Sequence, residues 1–286
     1  MTATTQHDAT ADLPIGLFDS GMGGLTVLSA LHERLPHERL IYLGDTARLP
    51  YGTKGPDTIA RYSLQATEKL VERNIKLLVV ACNTATAVAL PALQKAYAHL
   101  PVIGVVEPGS RAACAASASG RILVLATEST IRGQAYTKAI QAIRPDAEVM
   151  GIPCSLFVSM AEEGWMQGPI IEAVAARYLE PVLQLPKEER PDCVVLGCTH
   201  FPPLAPAIKA VLQDSAVTVD SAATTAEAVE KELTRLGLLR TAPDSATSGE
   251  AGIHFLTTDA PERFARVAPF FTGSPIPQEC LELVVL

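Results

Sequence analysis

Two short apolar runs each end in a cysteine followed closely by a hydroxyl-bearing residue: VVACNT over 79–84 and VLGCTH over 195–200. The thiolate is the reactive form of cysteine, and a free thiol titrates near pH ~8.5. Just ahead of a helix it titrates lower, because unpaired N–H groups and the helix dipole favour an anion. Cys82 and Cys198 are both predicted to sit at such a place. Taken singly, either one reads as readily as a small buried hydrophobe. As a matched pair, 116 residues apart and each followed by Asn, Thr or His, they read as one site built from two similar halves. Cys114, Cys154, Cys193 and Cys280 lack that setting and read as core or incidental.

Asp19 closes the run IGLFDS (15–20) and is followed by glycines. There it could orient a thiol or hold its proton, or simply cap the next helix. His200, two residues past Cys198, could serve the second thiol, or be a neutral ring bonded to nearby backbone. The GMGG at 21–24 lacks G-K-[ST] and does not complete G-x-G-x-x-G. It reads as exposed backbone N–H groups able to receive a carboxylate. Cys82, Cys198 and His200 could also ligate zinc, although a structural site would show closer cysteine spacing. Of the eight lysines only Lys54 falls outside predicted helices and polar linkers, in a loop with no phosphate-binding motif. A Schiff-base cofactor therefore has no clear anchor, and the expectation is chemistry with no cofactor and no metal.

The elements that must carry these residues alternate. Strands are predicted at 15–20, 40–45, in the run from Val79 to Cys82 and at 102–106, with helices over 25–35, from 56 onward, and after Cys82 up to an interruption at Pro91. The run before each cysteine is rich in β-branched and aliphatic residues, as in a strand buried on both faces of a parallel sheet. Open sheets of this kind bind ligands at the carboxyl ends of their strands. The pattern restarts at 121–127: a shift of 109 places Asp19 on Glu128, Ser20 on Ser129, Gly24 on Gly133 and Pro36 on Pro145. Helices are then expected over 133–143, 169–185, 203–212, 224–236 and 261–271, with strands in the run before Cys198 and at 217–220, 254–258 and 283–286. The polar stretch 241–252 reads as a flexible loop, and 1–13 as a disordered extension. The class is α/β with largely parallel sheets.

At 286 residues the chain can hold two cores. Its net charge of −8 and the lack of a Lys/Arg cluster argue against a nucleic-acid partner. The polar N-terminus has no signal-peptide core, and no window is long and apolar enough to span a bilayer, so the expected setting is cytoplasmic, with no membrane partner. Six scattered cysteines without C-x-x-C read as free thiols.

Five motifs in order, GLFDSGMGGLTV (16–27), DTARLPYG (45–52), ACNTA (81–85), GVVEP (104–108) and LGCTHFP (196–202), resemble the cofactor-independent aspartate/glutamate racemases, and specifically glutamate racemase. FLTT (255–258) and PERF (261–264) extend the likeness. The resemblance implies two α/β domains related by a pseudo-twofold axis, 14–108 with 220–286 and 109–219, with the active site in the cleft between them. It implies interconversion of L- and D-glutamate, supplying D-glutamate for peptidoglycan, with Cys82 taking the Cα proton of D-glutamate and Cys198 that of L-glutamate. Asp19 would assist Cys82 and His200 would assist Cys198. Asp19, Ser20, Tyr51, Gly52, Asn83, Thr84, Thr199 and His200 would hold the substrate. A further carboxylate falls on Glu162, but the segment CSLFVSMAE (154–162) departs from the family's C-P-x-F-V-P-x-V-E form, so Glu163 competes with it. A homodimer is left open. The rival readings are the same machinery on aspartate or a related small acid, a thiol hydrolase, and a two-lobed sensor that binds without catalysis.

Overall fold

The computed structural model describes residues 10–213, 215–240 and 252–286. Their strands form two wholly parallel sheets. The first holds β1 (Ile15–Asp19), β2 (Leu40–Gly44), β3 (Leu77–Val80), β4 (Val102–Gly104), β9 (Ile253–Thr257) and β10 (Leu281–Leu283), in the order β10-β9-β2-β1-β3-β4. The second holds β5 (Arg121–Ala126), β6 (Glu148–Pro153), β7 (Cys193–Gly197) and β8 (Val217–Asp220), in the order β6-β5-β7-β8. Hence β2-β1-β3-β4 and β6-β5-β7-β8 repeat one strand order, and the architecture is that of two pseudo-symmetric α/β domains. The repeat seen weakly in the sequence is a repeat of topology.

Burial follows strand position. β1, β3 and β7 are buried at every residue, while the edge strands β6 and β8 leave positions open to solvent. Apolar runs covered on both faces belong in the middle of parallel sheets, between layers of crossover helices. One such helix, Pro56–Val71, starts on proline, carries Asp57 in its first turn and Lys69 in its last, and buries Ile59, Ser63, Ala66, Thr67 and Leu70. Those choices suit the helix termini and put one stripe inward.

Several boundaries differ from the sequence expectations for local reasons. The helix expected over 133–143 starts at Ala135 and is preceded by a shorter one, Glu128–Gly133, the two parted at Gln134 in the left-handed region (φ 54°). The strand expected at 102–106 stops at Gly104, and Glu107 lies in the first turn of the helix Val106–Ala116. Pro91 does not interrupt the helix Asn83–Ala96. The helix expected from 224 begins at Ser221, because the Asp220 carboxylate accepts from the N–H groups of Ala222 and Ala223. The C-terminal helix divides into Pro261–Val267 and Pro269–Thr272. After β8 the chain leaves the second sheet. The helix Ser221–Leu236 packs on Leu25–Arg34, and β9 then pairs with β2. Residues 10–13, read from sequence as part of a disordered extension, are held: Lys76 Nζ donates to the Ala11 carbonyl at 2.6 Å and Arg240 pairs with Asp12 at 3.0 Å. Residues 1–9, and the loop expected at 241–252 except Gly252, lie outside the described residues.

Candidate active site

Equivalent central strands deliver the two thiols. β3 ends two residues before Cys82, which caps the helix Asn83–Ala96: its Sγ accepts from the Ala85 N–H at 3.4 Å and lies 3.5 Å from Ser20 Oγ. β7 ends immediately before Cys198. Here the sequence expectation of a second helix N-terminus fails. The Phe201 N–H returns to the Cys198 carbonyl, a 3-10 turn Pro202–Leu204 follows, and the next α-helix begins only at Ala205. Both cysteines line one buried cavity of about 20 Å³, with Ser20, Tyr51, Gly52, Asn83, Thr84, Thr199 and His200. That is room for about one water molecule, so the cleft is closed. A larger hollow of about 560 Å³, between Leu25–Arg34 and residues 272–280, contains neither thiol.

Around Cys82 the partners are small or acidic. Asp19, at the end of β1, is fully buried. Its Oδ2 accepts from the Gly21 N–H at 3.0 Å, and its Oδ1 has no partner. Of the backbone N–H groups at 21–24 expected to receive a carboxylate, that of Gly21 is therefore already engaged by Asp19. Burial, reinforced by the Asp19 charge, pushes the Cys82 thiol up to about 12. The lowering expected from the helix terminus is present in the Ala85 N–H but is outweighed by desolvation.

Around Cys198 the partners are charged. His200 Nδ1 lies 3.8 Å from the Cys198 sulfur, and its Nε2 lies 3.1 Å from Glu162 Oε1. Burial opposes the charged ring, yet the bonds to Cys198 and Glu162 raise His200 to about 10. Burial would also raise Glu162, but His200 and then Arg263 hold it below the usual carboxylate range. Glu162, at the end of the helix Leu156–Glu162, is buried, whereas Glu163 is exposed. Only the first faces this cluster.

The rest of the wall comes from both sheets. Asn83 Nδ2 donates to Tyr136 Oη at 2.7 Å, leaving Asn83 Oδ1 without a partner. Asn83, expected to supply a donor, thus has an acceptor free instead. Thr84 Oγ1 shares hydrogen bonds with Thr127 (2.8 Å) and Thr130 (3.4 Å). The Tyr51 hydroxyl donates to Asp45, which also takes Arg48 Nε at 2.6 Å and Thr258 Oγ1 at 3.0 Å. This pins the segment carrying Tyr51 and Gly52. Gly23 is required for the two halves to approach: a Cβ there would lie 2.3 Å from His200 Nδ1 and 2.7 Å from Thr199 Oγ1. Sequence reasoning missed Thr127, Val158, Leu49 and Pro50 in the lining, Tyr136 behind Asn83, and Arg263 behind Glu162. Leu49 and Pro50 lie in DTARLPYG and Arg263 in PERF, motifs that could have flagged them. Among the described residues no group of three or more His, Cys, Asp or Glu side chains is placed to hold a metal ion, and no helix is long and apolar enough to cross a membrane.

The arrangement can present two sulfurs to one small molecule, with an acid–base partner behind each. Comparison with known proteins points the same way. The family described as Asp/Glu/Hydantoin racemase matches residues 24–229. The chain is 48% identical over 262 residues to a glutamate racemase of Geobacter metallireducens, covering 92% of this chain and 93% of the relative. Among solved structures, glutamate racemase from Francisella tularensis in complex with D-glutamate matches with a TM-score of 0.86 at 34% identity, covering 96% of this chain and 98% of that one. Glutamate racemase from Thermus thermophilus in complex with β-chloro-D-alanine matches with a TM-score of 0.83 at 37% identity and the same coverage.

Proposed function

This chain belongs to the Asp/Glu/hydantoin racemase family, and from that premise we propose that it interconverts L- and D-glutamate by proton transfer at Cα between two thiols. The observation that carries the reading is that Cys82 and Cys198, at the ends of equivalent strands, line the same buried cavity. Inverting a stereocentre needs a base on one face and an acid on the other, and two similar halves facing each other supply both. The lobes are 14–108 with 220–286 and 109–219, and an amino acid enters as they part.

In the L-to-D direction the Cys198 thiolate takes the Cα proton and becomes a thiol. The electron pair left on Cα is drawn toward the α-carboxylate, and the Cys82 thiol gives its proton to the opposite face, becoming a thiolate. The D-to-L direction is the reverse. A Cys82 thiol held at about 12 starts as the acid, and a charged His200 sets an Nδ1–H against Cys198. Closure strips water from the developing carbanion and leaves it facing fixed dipoles. Hydroxyls of Ser20, Thr84 and Thr199 and the backbone near Tyr51 and Gly52 face the substrate carboxylates. The unpaired acceptors Asp19 Oδ1 and Asn83 Oδ1 suit the ammonium group, since a buried acceptor left unpaired costs about 1–3 kcal/mol. The product fits supply of D-glutamate for peptidoglycan, in the cytoplasm.

Circular dichroism of L-glutamate with purified protein and no added cofactor tests this. The signal should decay with wild type and slow by roughly 10³-fold or more in Cys82→Ser and in Cys198→Ser, the scale of a lost acid or base. Retention of racemisation by either variant, or faster loss of the L-aspartate signal, would overturn the proposal.

A further inference from the structure

Glu162 divides its two oxygens between different lobes. Oε1 lies 3.1 Å from His200 Nε2, and Oε2 accepts from Arg263 at 3.0 Å. Arg263 belongs to the helix Pro261–Val267, which follows β9 of the first sheet, whereas Glu162, His200 and Cys198 all belong to the second lobe. The carboxylate is 6% exposed and Arg263 39%, so the guanidinium reaches in from the rim of the cleft. A two-oxygen carboxylate held at one oxygen alone can rotate, and held at both it cannot.

We infer that Arg263 is a positioning residue for the Cys198 half of the reaction: by fixing Glu162 from the opposite lobe it sets the His200 ring against the Cys198 sulfur. This rests on the two-thiol reading above. The groups facing His200 are Cys198 on its own turn, Glu162 from the helix Leu156–Glu162, the Phe271 ring from the C-terminal segment, and Gly23 backbone from the first lobe. Behind them lie Cys154 beside Cys198, and Tyr42, which senses Glu162, Asp19 and Cys82. Among the described residues, the cations paired with Glu162 are His200 and Arg263 alone. With Arg263 gone, Glu162 loses its second clamp and can turn, and the His200 ring is no longer held in one orientation against the Cys198 sulfur.

The test compares Arg263→Gln and Arg263→Lys with wild type. Glutamine should lower kcat/KM about tenfold, the scale of one charge-assisted hydrogen bond, equally in both directions because L- and D-glutamate are equal in energy. Lysine, which keeps a cation on the same carboxylate oxygen, should restore most of the loss. In a His200→Asn background, Arg263→Gln should add little, since groups acting in series are not additive. Imidazole NMR titration, with the His200 signal identified by its loss in His200→Asn, reads the contact without any turnover. A changed ring chemical shift for His200 in Arg263→Gln, returned toward wild type in Arg263→Lys, supports the inference even if glutamate proves not to be the substrate. An unmoved His200 ring signal, or full additivity with His200→Asn, overturns it even if wild type racemises glutamate.

Discussion

The two sides of the cleft share a fold position and differ in chemistry. Cys82 and Cys198 each follow the third strand of a β2-β1-β3-β4-type sheet, yet their surroundings have diverged. The Cys82 side uses a helix terminus, a serine hydroxyl and a buried aspartate with one oxygen unpaired. The Cys198 side has no helix terminus and uses an ionic chain of His200, Glu162 and Arg263. The repeated topology places each sulfur equivalently, because strand order fixes that. It does not fix the partner, because partners come from loops and from other elements. Glu128, the sequence counterpart of Asp19, shows this well: it is exposed and pairs with Arg132 at the surface, while the second acid comes from Glu162.

The sharpest way to break the comparison is to remove one partner on each side. Asp19→Asn and His200→Asn should each lower kcat/KM by about 10²–10⁴-fold, the range for a lost acid–base group. Only His200→Asn should abolish an alkaline limb near pH 10, the value to which that ring is raised. Stability should follow the same sign. A group whose folded value lies above its ordinary 6.5 adds stability that is full below 6.5 and is lost as pH rises through about 10. Wild type should therefore lose melting temperature across that window more steeply than His200→Asn. Equal slopes for the two proteins would contradict the charged chain.

Adjacent glycines give a finer probe. A Cβ at Gly23 would lie 2.3 Å from His200 Nδ1, and one at Gly24 would lie 2.6 Å from the Asp19 Cβ. Displacements of about 1 Å in a catalytic group cost on the order of 10²-fold in rate, so both alanine variants should be slow. Gly23→Ala should also shift the alkaline limb, and Gly24→Ala should not. Identical pH profiles would show that the two halves are not separately held. The smallest effect belongs to Glu128→Gln. At an exposed position it should leave kcat/KM unchanged and move stability by no more than about 0.5 kcal/mol, and a loss resembling that of Asp19→Asn would restore the sequence equivalence that the fold denies.

The local sequence determined a good deal. The apolar runs leading into VVACNT and VLGCTH marked the central strands, their carboxyl ends located Cys82 and Cys198, and the motifs from GLFDSGMGG to LGCTHFP pointed to the family. These features were legible because strand and helix periodicity and turn chemistry are written within a few neighbouring residues. Tertiary structure alone decided that Glu162 rather than Glu163 faces His200, that Asn83 has its oxygen free once Tyr136 takes its amide, and that burial outweighs the helix terminus at Cys82. It also brought Arg263 across the cleft, 101 residues along the chain from its carboxylate. Desolvation and charge pairing are sums over whatever the fold assembles around an atom, and no short window of sequence contains those neighbours.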